Sequence, residues 1–479
     1  MFKLNQDKTP LLDAMEAYAN REVTAFDVPG HKRGKGVPIL NQYFGEKLMK
    51  LDTNSLPALD NVGNPTGVIK EAQDLLADAY GADAAFFMAN GSTSAIQAML
   101  MSVLNPGDKI LLPKNIHKSA LNGLILCGGI PVYMRPEICV KEGLTKNVSI
   151  DEVRFQLDKH PDAKAVFVLN PTYFGHTSDL MAISKLCHER NVLLLADEAH
   201  GACFAFHDKL PDSAMSCNAD ISCISVHKTG GALTQASVMV VKKERVDLNR
   251  IRQVVNMLIS TSVSYLLLGS LDGARYNLVK NGYSQLSNAI ELSQEAKNLL
   301  NQIPGLSTVD EKKFFDPSKL IINVSGLSLT GFGVYELLWK EYAIQLELCE
   351  TNHVLAIISL GDDRQGILKL VAAMTEIAGK HPGTGRNGRL PFGPLLQKIV
   401  VEMSPRDAYF SDKELISLKN AVGRIAGESI MAYPPGIPII SPGELITCEV
   451  INVLKDLKSK DAFIVDNADA DLNKILVVK

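Results

Sequence analysis

The chain has 479 residues, 46% of them hydrophobic and 21% charged, with a formal net charge of −4. That length exceeds one ordinary core, so two or more domains are expected. The charge balance excludes a field able to recruit nucleic acid or anionic membrane, and no apolar run reaches the length of a membrane span.

Residues 1–60 read as an irregular arm, with Pro29-Gly30-His31-Lys32 as a turn within it. From about residue 70 to 245 helical and short apolar-strand patterns alternate, which predicts an α/β fold with a mainly parallel sheet flanked by helices. The helix signals fall at Val68–Tyr80, Ser92–Leu104, His117–Cys127, Ile150–Lys159 and Leu180–Arg190. The strand signals fall at Ala84–Met88, Lys109–Leu112, Pro131–Met134, Ala165–Leu169, Val192–Ala196, Ile221–Ser225 and Ala236–Val241. Ser264–Leu300 reads as one or two long helices. Beyond it, strand runs at Leu320–Val324 and Val354–Ser359 and helices at Phe332–Glu341 and Arg364–Ile377 predict a smaller α+β domain. The expected division is 1–60 arm, 61–300 large domain and 301–479 C-terminal domain.

The eight cysteines form no CxxC pair and sit mostly within apolar runs, the usage of core thiols in a reducing compartment. The first eight residues lack an apolar signal region, so a cytoplasmic protein is expected.

Ligands of open α/β sheets bind at the carboxyl ends of strands, and several chemically capable groups follow strand signals here. Asn90-Gly91-Ser92-Thr93-Ser94 lies between a strand and a helix, where N–H groups and hydroxyls converge on the positive end of a helix dipole and suit a phosphate. An ordinary N-cap reads the same way. His117 opens the next helix, as a cap or as a flat ring for stacking. Asn170-Pro171-Thr172-Tyr173-Phe174-Gly175 follows a later strand as pocket lining or a plain turn. Asp197 and His200 close the fifth strand, and Ser225-Val226-His227-Lys228-Thr229-Gly230-Gly231 closes the sixth. A desolvated lysine is nucleophilic towards an aldehyde, and a buried aspartate keeps a pyridine nitrogen protonated. Together Lys228 and Asp197 predict a pyridoxal 5'-phosphate site, with Ser225 and His227 placed to donate to its phosphate.

Two other patterns carry little. Gly383-Thr384-Gly385-Arg386-Asn387-Gly388 matches GxGxxG but follows His381-Pro382 and not a strand, and Pro391 interrupts the helix that a dinucleotide site needs. His200, Cys203 and His207 have no evident fourth ligand, so no metal is expected.

These motifs, with the tail Tyr433-Pro434-Pro435-Gly436-Ile437-Pro438 and Pro442-Gly443-Glu444, resemble the Orn/Lys/Arg decarboxylases of bacteria over nearly the whole chain. The resemblance implies a fold-type I pyridoxal-phosphate enzyme. Lys228 would carry the cofactor, His117 would stack on its ring, Asp197 would pair with the ring nitrogen and His200 would lie near O3′. Ser92, Thr93, Ser225 and His227 would hold the phosphate. It also implies a homodimer with shared active sites, or a larger assembly, in which Ser260-Thr261-Ser262 reaches the partner's cofactor. The chain resembles the short form of the family, without the receiver-like N-terminal domain, and its nearest likeness is to the biosynthetic arginine-specific branch.

The expected reaction is decarboxylation of a basic amino acid, L-arginine to agmatine in polyamine biosynthesis. Lysine giving cadaverine and ornithine giving putrescine are the alternatives. A basic side chain needs a carboxylate partner, and the tail offers Glu428, Glu444 and Glu449. Another fold-type I reaction is the competing enzymatic reading. The reading from a different class is a catalytically idle homologue acting as a scaffold or inhibitor.

Overall fold

The computed structural model describes all residues except Met1, Val140, Lys141, 384–398, 433–435 and 460–463. The GxGxxG pattern and the Tyr433-Pro434-Pro435 part of the tail lie largely outside the described residues. The principal strands up to residue 245 are β1 (Ala84–Met88), β2 (Lys109–Pro113), β3 (Ile130–Met134), β4 (Ala165–Leu169), β5 (Leu193–Asp197), β6 (Ile221–Ile224) and β7 (Ser237–Val241). Strands and helices alternate as the sequence implies, giving an α/β fold with a mostly parallel sheet flanked by helices.

The chain divides into two compact units, the first formed by Met1–Ser102, Leu195–Asp208 and Asp212–Tyr283. In it the strands run in the order β1-β7-β6-β5. β5 and β6 are parallel, with Asp197 opposite Cys223. β7 runs antiparallel to both β1 and β6. The carboxyl ends of β1, β5 and β6 therefore share one edge of the sheet. All four residues of β6 and all five of β7 are buried, in keeping with runs that are apolar apart from Ser222 and Ser237.

The helix Val68–Ala79, which precedes β1, is anchored by Asp60, whose carboxylate accepts N–H bonds from Thr66, Gly67, Ile69 and Lys70. Those bonds hold its pKa below the usual aspartate value although burial opposes them.

The expectation of an irregular arm is corrected in part. Residues 10–20, 38–44 and 46–51 are helical. Pro10 opens the first of these helices, where its missing N–H costs nothing, and Leu11, Met15 and Ala19 are buried at helical spacing. Arg275, fully buried on the helix Tyr265–Leu300, donates to Asp272 and to the Gln6 and Lys8 carbonyls and fixes the segment that leads into the helix Pro10–Asn20.

The second unit comprises Val103–Leu194, Lys209–Pro211 and Ser284–Lys479. β2 lies between β3 and β4 and is parallel to both. Further along, Ser307–Thr308, Lys319–Asn323, His353–Ile357 and Leu348–Cys349 form a four-stranded antiparallel sheet. The helices Gly331–Tyr342 and Arg364–Lys380 belong to the same core, through residues such as Leu320, Val334, Val354 and Met374. A separate core around Ile430, Leu454 and Ile475 holds the last strands and the helix Cys448–Ser459. This is the α+β arrangement expected of the C-terminal part.

Two acid–base groups in this unit, the buried His353 and the half-buried Glu350, predict a pH dependence of stability. Burial pushes His353 down to about 4 and Glu350 up to about 7. His353 is depressed, so the unfolded chain binds the extra proton and stability is lost as pH falls from about 6.5 to 4. Glu350 is raised, so the folded chain holds the extra proton and stability is lost as pH rises from about 4.5 to 7. The two slopes oppose each other between pH 5 and 6.5. Glu350→Gln removes one of them, so urea unfolding of the variant is expected to gain about 2 kcal/mol more than wild type across that interval. Equal gains in both proteins would contradict the assignment.

Candidate active site

The carboxyl edge shared by β1, β5 and β6 gathers most of the polar residues picked out in the sequence. After β1 the chain enters the helix Gly91–Val103 through Gly91, whose φ of +77° suits glycine. Ser92 and Thr93 lie in the first turn, where main-chain N–H groups are unused by the helix and carry its positive pole. Ser225, the residue after β6, donates from Oγ to Ser92 Oγ at 2.7 Å. Two hydroxyls from separate strand ends thus meet at one helix N-terminus. Thr93 is exposed on the same turn.

Lys228 departs from its expected setting in one respect. It stands on a single helical turn, Val226–Thr229, and not on the strand itself. Its Nζ lies 2.9 Å from His200 Nε2, a spacing at which the ammonium donates to the unprotonated ring nitrogen. His227 lies alongside, 3.1 Å from the Ala236 carbonyl through Nδ1. Burial and the Lys228 charge lower the His227 pKa, while the Ala236 hydrogen bond partly offsets them.

Asp197 is the last residue of β5 and is 5% exposed. Its Oδ1 accepts the Ala199 N–H at 3.1 Å. Burial raises its pKa, and the Ala199 hydrogen bond and the positive charge of Lys228 oppose that rise. A carboxylate so placed favours a cation against it, which makes it complementary to a protonated ring nitrogen.

The second unit holds the remaining predicted residues. His117 follows β2 and is the N-cap of the helix Lys118–Cys127, its Nδ1 accepting the Ser119 N–H at 3.2 Å. The capping and stacking readings are compatible, because the cap bond fixes the orientation of the ring. Asn170 follows β4 and is 1% exposed.

Two of the three acids picked out in the tail, Glu444 and Glu428, are engaged within the chain. Glu444 accepts from Lys114 Nζ at 2.5 and 2.7 Å and from the Ser441 N–H at 3.2 Å. Glu428 accepts the Ala468 and Leu476 N–H groups at 2.6 and 2.7 Å, one on each oxygen. It also lines a cavity of about 540 Å³ with Lys413 and Asp466.

Sequence reasoning missed Glu198 and Lys114. Both are charged residues at strand ends, which could equally have been exposed. The apolar runs that precede them were the available signal.

The model of the Orn/Lys/Arg decarboxylase major domain matches residues 9–310, and that of the C-terminal domain matches residues 395–464. The chain belongs to the Orn/Lys/Arg decarboxylase family. It is 42% identical over 451 residues to an arginine decarboxylase of Halalkalibacterium halodurans, covering 92% of each protein. It is 40% identical over 486 residues to the arginine decarboxylase of Bacillus subtilis, covering 99% of each. Among solved structures, the Francisella novicida lysine decarboxylase superposes with a TM-score of 0.86 at 18% identity. That match covers 99% of this chain and 81% of the other, and it establishes the fold of this family member.

Proposed function

We propose that this family member converts L-arginine to agmatine and CO₂ with pyridoxal phosphate held through Lys228. The observation that carries the reading is the set of groups on one sheet edge: a lysine amine against His200, a buried Asp197, and a hydroxyl pair at a helix N-terminus. Each suits one part of the cofactor, respectively its aldehyde, its ring nitrogen and its phosphate. The two arginine decarboxylases support arginine as the substrate.

When bound, the cofactor supplies an electron sink for the pair left on Cα as CO₂ departs. The protein's part is positional and electrostatic. Asp197 is proposed to hold the ring nitrogen protonated, and His200 to lie near the ring hydroxyl. Ser92, Thr93, Ser225 and His227 are proposed to hold the phosphate, and His117 to stack on the ring. Lys228 and His117 are the two groups proposed to return a proton to Cα. With their oxygens engaged internally, Glu428 and Glu444 are weak partners for the distal cation of the substrate.

We further propose a cytoplasmic homodimer with shared active sites. All eight cysteines are free, as a reducing compartment requires. The helix Pro38–Phe44 has no buried residue, and Phe26, Tyr43 and Met257 are 92%, 78% and 70% exposed, an apolar area that a second subunit would cover. Among the described residues no helix is long and apolar enough to cross a membrane. We propose a division into an arm of residues 1–60, a cofactor domain of 61–300 and a C-terminal domain of 301–479; the separate major-domain match over 9–310 and C-terminal match over 395–464 support the second boundary.

Side-by-side kinetics on arginine, lysine and ornithine test the substrate. The expected result is a kcat/KM for arginine at least about tenfold above the others, the scale of one pocket contact. A higher value for lysine or ornithine would overturn arginine, and turnover of none would favour the idle-homologue reading.

A further inference from the structure

We infer that Glu198 is a positioning residue whose carboxylate fixes the turn that presents Asp197 and His200 to the Lys228 amine. The inference rests on the cofactor site proposed above and adds a residue to it. Glu198 is 1% exposed, next to the pair it would place. Its N–H donates to the Cys223 carbonyl at 2.9 Å, which extends the β5–β6 ladder one residue beyond Asp197.

The side chain adds two ties. Oε2 accepts from Ser222 Oγ, on β6, at 2.8 Å, and Oε1 accepts the Ala214 N–H at 2.8 Å. One carboxylate thereby joins the end of β5 both to the neighbouring strand and to the segment that leads into it. Ser222 belongs to the strand that ends just before Ser225 and Lys228, so the tie sets the offset between the acidic and the basic halves of the site. A buried carboxylate is costly unless its lone pairs are used, and here each oxygen accepts one hydrogen bond.

Two neighbouring contacts hold the same segment. The Tyr80 hydroxyl donates to the Ala202 carbonyl at 2.8 Å, and Cys203 Sγ donates to the Thr229 carbonyl at 3.2 Å. Residues 198–203 are therefore tied at both ends, with His200 between the ties and its Nε2 2.9 Å from Lys228 Nζ. Small displacements of a group so placed cost up to about a hundredfold in rate.

Two substitutions separate reach from charge. In Glu198→Gln the amide oxygen still accepts from Ala214 and the amide nitrogen can donate to Ser222 Oγ, so reach is kept and charge is lost. In Glu198→Asp charge is kept, but the side chain is one methylene too short to hold both partners. Two readouts on the full-length protein apply. One is the pH midpoint of the visible absorbance of pyridoxal phosphate bound at Lys228. The other, in cofactor-free protein, is the rate at which a small amine-reactive reagent labels Lys228, located by mass spectrometry.

Glu198→Asp is expected to move the midpoint by about half a pH unit or more, to change the labelling rate, and to lower kcat/KM about 10- to 100-fold. Glu198→Gln is expected to stay within about threefold of wild type, the effect of a single exchanged hydrogen bond. Thermal unfolding confirms that each comparison is made on folded protein. Should Glu198→Asp not fold, Ser222→Ala removes one tie alone and is expected to move both readouts.

Wild-type behaviour of Glu198→Asp, or a Glu198→Gln shifted as far as Glu198→Asp, would overturn the inference. So would an unmoved Ser222→Ala. If wild type itself shows no band that depends on Lys228, the cofactor proposal fails, while the labelling contrast still reports on Glu198 by itself.

Discussion

Replacing Lys228 with alanine is expected to lower CO₂ release by on the order of 10⁴-fold or more, the scale seen when a covalent catalytic group is removed. The expectation follows from the placing of its amine. Nζ is half-buried on a single helical turn, held at 2.9 Å by His200, and close enough to Asp197 for its charge to oppose the rise in the aspartate pKa. Alanine also fits a short helical turn, so the melting temperature should change little. Steady-state kinetics, the absorbance of the bound cofactor and thermal unfolding together make the test. Activity within tenfold of wild type would remove Lys228 from the chemistry.

Replacing Lys114 with methionine is expected to destabilise the protein by about 3–5 kcal/mol, the cost of leaving a buried charge without its partner. Lys114 and Glu444 have side chains only 3% and 4% exposed, and their ion pair joins the end of β2 to the turn at Ser441–Glu444. Lys114 Nζ also lies 4.7 Å from the centre of the Tyr133 ring. Burial and the Glu444 charge push the Tyr133 hydroxyl well above its usual pKa. Adding Glu444→Gln removes the stranded charge, so the double variant should recover part of the loss. Urea unfolding of both proteins measures the difference, and a loss below about 1 kcal/mol in Lys114→Met would place the pair in the class of weak surface bridges.

Much of this architecture was legible in the sequence because the sheet is buried on both faces. Its strands are then mostly apolar runs, and the residues that follow β1, β5 and β6 fall at one edge. Asp197, Ser225 and Ser92 could be placed for that reason. The single turn under Lys228 was not legible, since four residues are too few to show a helical period. Two of the helices within residues 1–60 were missed because they are only 7 and 6 residues long, too short to show a helical period. The burial of Leu11 and Met15 depends on tertiary packing.

Within the site, long-range pairing set the limit. Sequence patterning marks a strand end but cannot say which strand lies beside it, so the Ser92–Ser225 contact and the Glu198–Ser222 tie were invisible. The same limit applies to Glu444, which was singled out as an acid near a recognisable tail. Its partner Lys114 lies 330 positions earlier in the chain. His117 shows the opposite case, in which a local signal for an N-cap was correct and did not exclude a second role for the ring.

The most direct test is to incubate the purified chain with pyridoxal phosphate and carboxyl-labelled L-arginine and to follow both products. The expected result is labelled CO₂ and agmatine in equal amounts, formed only when the cofactor is present. Loss of the amino group with the label retained, or no release of label at all, would contradict the assignment of this site to α-decarboxylation.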